Sequence, residues 1–175
     1  MELLQAETVF EGPFVDVAAK RYRRAGGDEV ERQVVEHPGS IGIVAHDAEC
    51  VYLVRQPREA VEEDRLLEIP AGVLDVDGES PRECAERELA EEVGLRGEHW
   101  SRLHAIYSSP GFLTEKLTIF EATGLSPVQA EADPGEQIEV VRLPLAEVDS
   151  TLAEVEDAKT WIGLMLLRDK LRAAA

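Results

Sequence analysis

The sequence predicts an α+β fold in which many short strands and few helices share one hydrophobic core. Runs of β-branched and aromatic residues alternate with turn residues along most of the chain. Helical spacing of apolar residues is confined to residues 81–93 and a stretch near the C-terminus. The chain has 175 residues and 44% hydrophobic content, which suits a single domain of ordinary size.

The N-terminal part of the chain predicts extended structure. Its strand-like runs are residues 8–10, 14–17 and 30–35. Gly12-Pro13 and Gly26-Gly27 provide the turns between these runs. We therefore expect residues 1–36 to form an antiparallel strand region, a β-hairpin extension of a main domain at residues 37–175.

The remaining elements follow from the same patterns. Further strands are predicted at residues 40–45, 51–56, 66–70, 103–108, 117–122 and 138–144. A short turn is expected at residues 145–148. A second helix is expected to begin at Thr151 or a few residues later and to end at Leu171, with its apolar face packed on the sheet.

The first helix, at residues 81–93, is defined by the signals at its ends. Ser80 is a good N-cap, and Pro81 suits the first helical position, where its missing N–H would have no partner. Glu83 stands three residues after Ser80 and completes a capping box. Gly94 then supplies a left-handed stop, so both ends of the helix are predicted from sequence.

Three glutamates border the buried face of this helix. The apolar stripe of that face consists of Ala85, Leu89 and Val93. Glu88 and Glu92 are four residues apart at the edge of the stripe, and Glu91 lies one step further round. Like charges at this spacing repel each other, so we expect a cation to compensate them.

Arg87 is the local candidate for that cation. It stands four residues after Glu83 and four before Glu91, which predicts an Arg-bridged ladder but leaves Glu88 and Glu92 without a local partner. Hard carboxylate oxygens that need a counter-charge suit Mg²⁺ or Mn²⁺. The alternative is a solvated acidic helix in an acidic protein.

Residues 72–95 resemble the signature of the Nudix hydrolases. In that signature a Gly and a Glu precede Arg-Glu, an aliphatic residue, any residue, Glu-Glu, any residue, Gly and an aliphatic residue. Glu79 and residues 87–95 match these positions, while the loop between Gly72 and Glu79 carries one extra residue. The resemblance implies the Nudix αβα sandwich around a mixed sheet. It also implies a pyrophosphatase that uses Mg²⁺, with Mn²⁺ as an alternative.

The flanking segments are similar to those of one subgroup, the ADP-ribose pyrophosphatases. Residues 67–72 read Leu-Glu-Ile-Pro-Ala-Gly, and residues 109–112 read Ser-Pro-Gly-Phe. The longer signature loop is similar to that of the actinobacterial type. The resemblance implies hydrolysis of ADP-ribose to AMP and ribose 5-phosphate by a homodimer whose residues 1–36 exchange with or pack against the partner subunit.

The resemblance also implies the metal ligands and the catalytic acids. It assigns metal binding to the carbonyl of Ala71 and to Glu88 and Glu92, with Glu91 acting through a second metal or through Arg87. Glu136, in the loop before the strand at 138–144, is implied as general base, metal ligand or both, and completes a catalytic set with Glu88 and Glu92. Its rivals are Glu131, Asp133 and Glu139. The alternative is a solvated acidic loop.

The implied substrate contacts lie outside the signature, apart from Gly72 at its start. Arg58 follows a strand and would approach the phosphates or the terminal ribose, because a guanidinium matches an oxyanion. Arg32 would contact the adenine, and Glu115 the terminal ribose hydroxyls. The alternatives are an ion pair of Arg32 with Glu31 or Glu36, and an exposed turn position for Glu115.

Charge and composition limit the partners. The formal net charge of −18 disfavours nucleic acid, because a phosphate backbone requires a basic surface. No apolar run of membrane-spanning length and no secretory leader is present, so we expect no membrane partner and a cytoplasmic location. A small nucleoside diphosphate substrate remains compatible if metal and a few arginines reverse the local field. Cys50 and Cys84 are expected to be reduced residues in or near the core.

Two alternative functions stay open. The signature contacts only pyrophosphate and metal, so the substrate could be another nucleoside diphosphate sugar or a dinucleotide. A non-catalytic sensor that binds a nucleotide sugar would keep the same fold. The intact carboxylate set favours catalysis over this sensor.

Overall fold

The computed structural model describes residues 1–12, 15–130, 135 and 137–174. The strands are β1 Glu2–Glu11, β2 Asp16–Arg23, β3 Glu29–Glu36, β4 Ser40–His46, β5 Cys50–Arg58, β6 Glu63–Glu68, β7 Ala71–Val73, β8 Leu95–Arg96, β9 His99–Tyr107, β10 Lys116–Thr123, β11 Ser126–Pro127 and β12 Glu139–Pro144. The helices are α1 Pro81–Glu88, α2 Val148–Thr151 and α3 Ala158–Ala174. The predicted α+β class is confirmed. Across the described residues, no helix is both long and apolar enough to span a bilayer.

The chain divides into two compact units, of which the first comprises residues 1–39 and 106–117. Its sheet has the order β1-β2-β3, and both pairings are antiparallel. The N–H of Gly27 donates to the carbonyl of Arg24 at 2.9 Å, and the positive φ of Gly27, 91°, closes the turn between β2 and β3. Where the sequence predicted a β-hairpin, the structure therefore has a three-stranded antiparallel sheet.

The second unit comprises residues 40–105 and 118–175 and contains a sheet of order β12-β5-β4-β10-β9. β6 pairs with β5, and β7 pairs with β4. Successive side chains of a strand point to opposite faces. Ile41 and Ile43 of β4 pack in one cluster with Leu89, beside α1. Val44 points the other way, where a Cβ added to Gly163 of α3 would lie 3.0 Å from it. β4 therefore lies between α1 and α3, as predicted for a sandwich.

Two differences between the predicted and the observed boundaries have a visible cause in the structure. The strand expected at residues 66–70 is divided into β6 and β7, because the Ile69 N–H donates to Thr160 Oγ1 at 2.7 Å and Pro70 has no N–H. The long second helix begins only at residue 158, after the separate α2. Asp157 determines this start, since its carboxylate accepts the Thr160 N–H at 2.9 Å.

The turn between β4 and β5 depends on Asp47. Its carboxylate accepts the N–H groups of Cys50 and Glu49, each at 2.8 Å, and the Tyr52 hydroxyl at 3.0 Å. These hydrogen bonds, chiefly the one from Cys50, outweigh partial burial and lower the pKa of Asp47 to about 2. The charged form of Asp47 therefore stabilises the fold.

Replacing Asp47 with Asn should lower the free energy of unfolding by about 1–2 kcal/mol at pH 7. Because the folded pKa lies below the unfolded value of 3.8, the stabilisation is complete above that value. It is lost as the pH falls towards the folded pKa, so the difference between Asp47→Asn and wild type should shrink on acidification. Urea unfolding of both proteins at pH 7 and at about pH 3 measures this difference in the free energy of unfolding. Asp75→Asn, an exposed loop change, should have little effect at either pH. A penalty that grew in acid would contradict this role for Asp47.

Candidate active site

The helix that carries the glutamates begins as predicted. The Glu83 N–H donates to Ser80 Oγ at 3.3 Å, and the Ser80 N–H donates to the Glu83 carboxylate at 2.8 Å. This reciprocal pair is the predicted capping box, and Pro81 occupies the first turn. Gly94 ends the helical segment with a φ of 71°.

The last turn of this segment is not α-helical. α1 ends at residue 88, and Leu89–Val93 form a π-helical turn. The predicted α-helix over 81–93 is therefore wrong in its last turn. A π-helical turn places one additional residue in the turn, and such turns are common at functional sites. Glu91 and Glu92 both lie within it.

Glu92 reaches from the π-helical turn to the strand β7. Its side chain is nearly buried, with 7% of the residue exposed, and its Oε2 accepts the Ala71 N–H at 3.0 Å. A buried carboxylate needs such a donor to offset its loss of hydration. Two of the residues assigned to metal binding are therefore in direct contact.

Glu88 lies against the next residue of β7. A Cβ added to Gly72 would come closer than 3.0 Å to the Glu88 carboxylate and its Cγ, so only glycine leaves room for this side chain. The structure thus brings together four residues that the resemblance assigns to the site, namely Ala71, Gly72, Glu88 and Glu92. They form the carboxylate site, the name used below for these four residues.

Arg87 donates hydrogen bonds to three carboxylates of the signature. Its Nε and Nη2 donate to the two oxygens of Glu79 at 2.9 and 3.1 Å, and its Nη1 donates to Glu88 at 2.7 Å and to Glu91 at 3.0 Å. The predicted contact with Glu91 is confirmed. The predicted ladder to Glu83 is wrong, because Glu83 is engaged in the capping box. Glu88 does have a local partner, contrary to prediction, since its neighbour Arg87 folds back onto it.

The carboxylates around Arg87 raise its pKa. The hydrogen bond to Glu79 raises the pKa of Arg87 above its ordinary value, and the charge of Glu88 and the bond to Glu91 add to this effect. The same Arg87 hydrogen bond lowers the pKa of Glu79. One guanidinium therefore forms ion pairs with three carboxylates, so this cluster of four side chains has a net negative charge.

The donor set fits a hard divalent cation. Its side chains are carboxylates, and Glu88 and Glu92 both border the Ala71–Gly72 backbone. In the part of the chain that the structure describes, no three His, Cys, Asp or Glu side chains converge as a metal-binding group. Three carboxylates converge on Arg87 instead, so a metal would be bound after a local change of side-chain positions.

Arg58 lies at the end of β5 and is held by a buried acid. Its Nε and Nη2 donate to the two oxygens of Glu68 at 2.6 and 2.8 Å. The charge of Glu92 is among the influences that raise the pKa of Arg58, after the dominant hydrogen bond to Glu68. Arg58 and the carboxylate site therefore belong to one electrostatic environment.

The other implied substrate residues lie in the first unit. The Nη1 of Arg32 donates to the carbonyl of Glu31 at 2.7 Å, and among the described residues Arg32 forms no salt bridge. The alternative ion pair with Glu36 is wrong, because Glu36 binds Lys20. Glu115 accepts a hydrogen bond from Ser108.

The implied general base lies outside the described residues. Glu136 and its rivals Glu131 and Asp133 belong to that part of the chain. Glu139 is described, and on β12 it forms a surface ion pair with Arg65. This surface ion pair disfavours Glu139 as the general base.

Sequence reasoning missed Glu68 and Lys159. Glu68 is completely buried and binds both Arg58 and Lys159. Its signal was present as a charged residue within an otherwise apolar strand end, Leu66-Leu67-Glu68-Ile69. The buried cysteines are free, as predicted, and burial raises the pKa of Cys84 to about 12.

Comparison with known proteins identifies close relatives. A family model described as NUDIX domain matches residues 36–164. The ADP-ribose pyrophosphatase of Mycobacterium tuberculosis is 41% identical over 128 residues, which cover 73% of this chain and 61% of that protein. The ADP-ribose pyrophosphatase of Bacillus subtilis is 34% identical over 169 residues, which cover 94% of this chain and 90% of that protein. The chain thus spans less than two thirds of the first relative and most of the second.

Other matches show the breadth of the group. A GDP-mannose pyrophosphatase of Citrobacter koseri is 33% identical over 158 residues, which cover 82% of each chain. Among solved structures, the crystal structure of an ADP compounds hydrolase superposes with a TM-score of 0.86 at 27% identity, covering 99% of this chain and 95% of that one. The overall architecture predicted from the signature is confirmed by this superposition.

Proposed function

This chain belongs to the Nudix hydrolase family, and we propose that it hydrolyses the pyrophosphate bond of ADP-ribose to give AMP and ribose 5-phosphate. The observation that carries the proposal is the carboxylate site, in which Glu88 and Glu92 meet the Ala71–Gly72 backbone. Both ADP-ribose pyrophosphatases named above support the choice of substrate.

The reaction adds one water across a phosphorus–oxygen–phosphorus bridge. The water oxygen bonds to one phosphorus, the bridging oxygen leaves with the other, and the water's two protons are shared between the products and solvent. Ala71, Glu88 and Glu92 would hold the divalent metal that Nudix hydrolases require, with Glu91 as a further ligand. Bound there, it would supply positive charge beside the diphosphate oxygens and a more acidic water. We propose Mg²⁺ as this metal, with Mn²⁺ as the substitute.

Residues of the chain would bind the phosphate, position the metal ligands and accept the proton of the attacking water. Arg58 offers a guanidinium to a phosphate oxygen, since it is 42% exposed and its Nη1 has no hydrogen-bond partner among the described residues. Arg87 holds Glu88 and Glu91 against their mutual repulsion. We assign proton abstraction from the attacking water to Glu136, with Glu131 and Asp133 as rivals from the same loop.

Recognition of the ends of the substrate is assigned to the first unit. We propose that Arg32 contacts the adenine and Glu115 the terminal ribose, and that the protein is a homodimer joined through residues 1–36. Several large apolar side chains of β1 support an interface there, because more than half of each is exposed. They are Leu3, Val9 and Phe10.

A second substrate class has specific support. The GDP-mannose pyrophosphatase relative favours another nucleoside diphosphate sugar. The carboxylate site would contact only the pyrophosphate and the metal, so it does not choose between these substrates. The sensor alternative is disfavoured, because the predicted ligands Ala71, Glu88 and Glu92 are present and adjacent.

A substrate panel tests this proposal. ADP-ribose, GDP-mannose, NADH and diadenosine diphosphate would be compared at equal concentration with Mg²⁺, and products identified by chromatography. We expect the highest kcat/KM for ADP-ribose, equal amounts of AMP and ribose 5-phosphate, and loss of turnover with a chelator. Faster turnover of GDP-mannose would transfer the assignment to the alternative class, and turnover of none would refute it.

A further inference from the structure

We propose that Lys159 is a positioning residue for Arg58, and that it acts by sharing the buried carboxylate of Glu68. The inference deepens the proposed function and rests on it, since it concerns how Arg58 is kept available to a diphosphate. Neither the signature nor the subgroup motifs point to Lys159, which lies outside residues 67–112.

Glu68 is the centre of this arrangement. It is completely buried, and burial by itself raises its pKa, but the hydrogen bonds and charges of Arg58 and Lys159 reverse the shift and lower the pKa. Oε1 accepts from Arg58 Nε, while Oε2 accepts from both Arg58 Nη2 and Lys159 Nζ. A buried carboxylate with two cations is stable in the charged form, and removing either cation leaves more of its charge to the other.

Lys159 is anchored at the start of α3. Its Nζ is 2.5 Å from Glu68 Oε2 and 3.1 Å from Asp157 Oδ1. Asp157 also caps α3 through Thr160, whose hydroxyl accepts the N–H of Ile69. The position of Lys159 is therefore determined by the helix start and by the same β6–β7 connection that leads to Ala71.

Arg58 is oriented by the strand pairing as well as by Glu68. Gln56 pairs with Leu66, whereas Arg58 pairs with Glu63, so the register shifts between these two positions. Such an irregularity re-aims the side chain that follows it. Nε and Nη2 are bound to Glu68, so with respect to the described residues the Nη1 edge of the guanidinium is left for an oxyanion.

Glu68 and the substrate compete for Arg58. While Lys159 neutralises part of the Glu68 charge, the guanidinium retains attraction for a diphosphate. Without that cation, Glu68 attracts Arg58 alone, and binding of an anionic ligand weakens. Turnover of the bound substrate should change little, because the ion-pair partners of Lys159 among the described residues are Glu68 and Asp157, to which no chemical step is assigned.

Lys159→Gln tests this role, because glutamine keeps a hydrogen-bond donor for Glu68 and removes only the charge. Lys170→Gln is the matched control. Lys170 also lies on α3 and also binds a buried acid, Glu121, at 2.6 Å, but it belongs to a separate cluster with His46. The measurements are the Kd of ADP by calorimetry with Mg²⁺, and kcat and KM for whichever panel substrate is hydrolysed fastest.

We expect Lys159→Gln to raise the Kd of ADP and the KM about tenfold with kcat changed less than about threefold. Lys170→Gln should leave both binding values unchanged although it lowers the Tm. Lys159→Arg, which restores the charge, should recover ADP affinity. ADP affinity in Lys159→Gln within about twofold of wild type, or an equal loss in Lys170→Gln, would overturn the inference. So would an inability of the wild type to bind ADP. Because calorimetry needs no turnover, failure of the ADP-ribose assignment would be seen separately in the substrate panel.

Discussion

Glu92→Gln should lower kcat/KM by about 10³-fold or more while the protein stays folded. Glutamine retains an oxygen that can accept the Ala71 N–H, so the 3.0 Å hydrogen bond between β7 and the π-helical turn survives. The negative charge next to the Ala71–Gly72 backbone is lost, and with it the affinity for a hard divalent cation. The loss should therefore fall on catalysis and metal affinity, with a small change in Tm.

Glu86→Gln is the matched control for this variant. Glu86 lies on the same helix and forms an exposed ion pair with Arg82 at 2.7 Å, away from the residues of the carboxylate site. It should retain near-wild-type kcat/KM, because an exposed i,i+4 pair contributes only about 0.3–0.5 kcal/mol to stability. Near-wild-type activity in Glu92→Gln, with its fold verified by circular dichroism, would refute the metal assignment.

Gly72→Ala is expected to have the next largest effect, about a 10²-fold loss of kcat/KM. The added Cβ would come closer than 3.0 Å to the Glu88 carboxylate and Cγ, so Glu88 would have to move off the β7 backbone. Glu88 also binds Arg87, and its displacement would disturb that contact. Steady-state kinetics at saturating Mg²⁺ and across a Mg²⁺ titration would separate weaker metal binding from slower chemistry.

Gly26→Ala supplies the comparison for this substitution. A Cβ at Gly26 would meet nothing within 4 Å, and its φ lies outside the left-handed region. The same chemical change should therefore leave kcat/KM unchanged. If Gly72→Ala were as active as Gly26→Ala, the close approach of Glu88 to β7 would not matter for function.

The parts of the fold that sequence predicted are those determined by near neighbours. The capping box of Ser80 and Glu83 and the stop at Gly94 involve groups a few residues apart, and all are found in the structure. The contact of Arg87 with Glu91 follows from the same helical spacing. Local hydrogen bonding and helix geometry are sufficient to predict such features.

Two of the contacts that were not predicted join residues of different elements. Glu68 and Lys159 are separated by 91 positions, and only the packing of α3 beside β6 brings them together. Glu79, in the loop before the helix, accepts two hydrogen bonds from Arg87, which was predicted to pair with Glu83. The π-helical turn at Leu89–Val93 has no local sequence signal, although it contains two of the glutamates assigned to the metal.

The arrangement of the site was predictable in part. Ala71, Gly72, Glu88 and Glu92 were assigned through the signature, and the structure brings them together. The signature could not indicate that Arg58 is bound by Glu68, because a motif records residue types and not the partners that occupy them. The roles of Arg32, Glu115 and Glu136 stay predictions.

Anomalous diffraction from crystals grown with Mn²⁺ and ADP would show directly which residues hold the metal. We expect a manganese peak at about 2.1 Å from carboxylate oxygens of Glu88 and Glu92 and from the carbonyl of Ala71, with the diphosphate on its open side. A manganese ion bound only by other residues, with Glu88 and Glu92 still held by Arg87 and the Ala71 N–H, would contradict it.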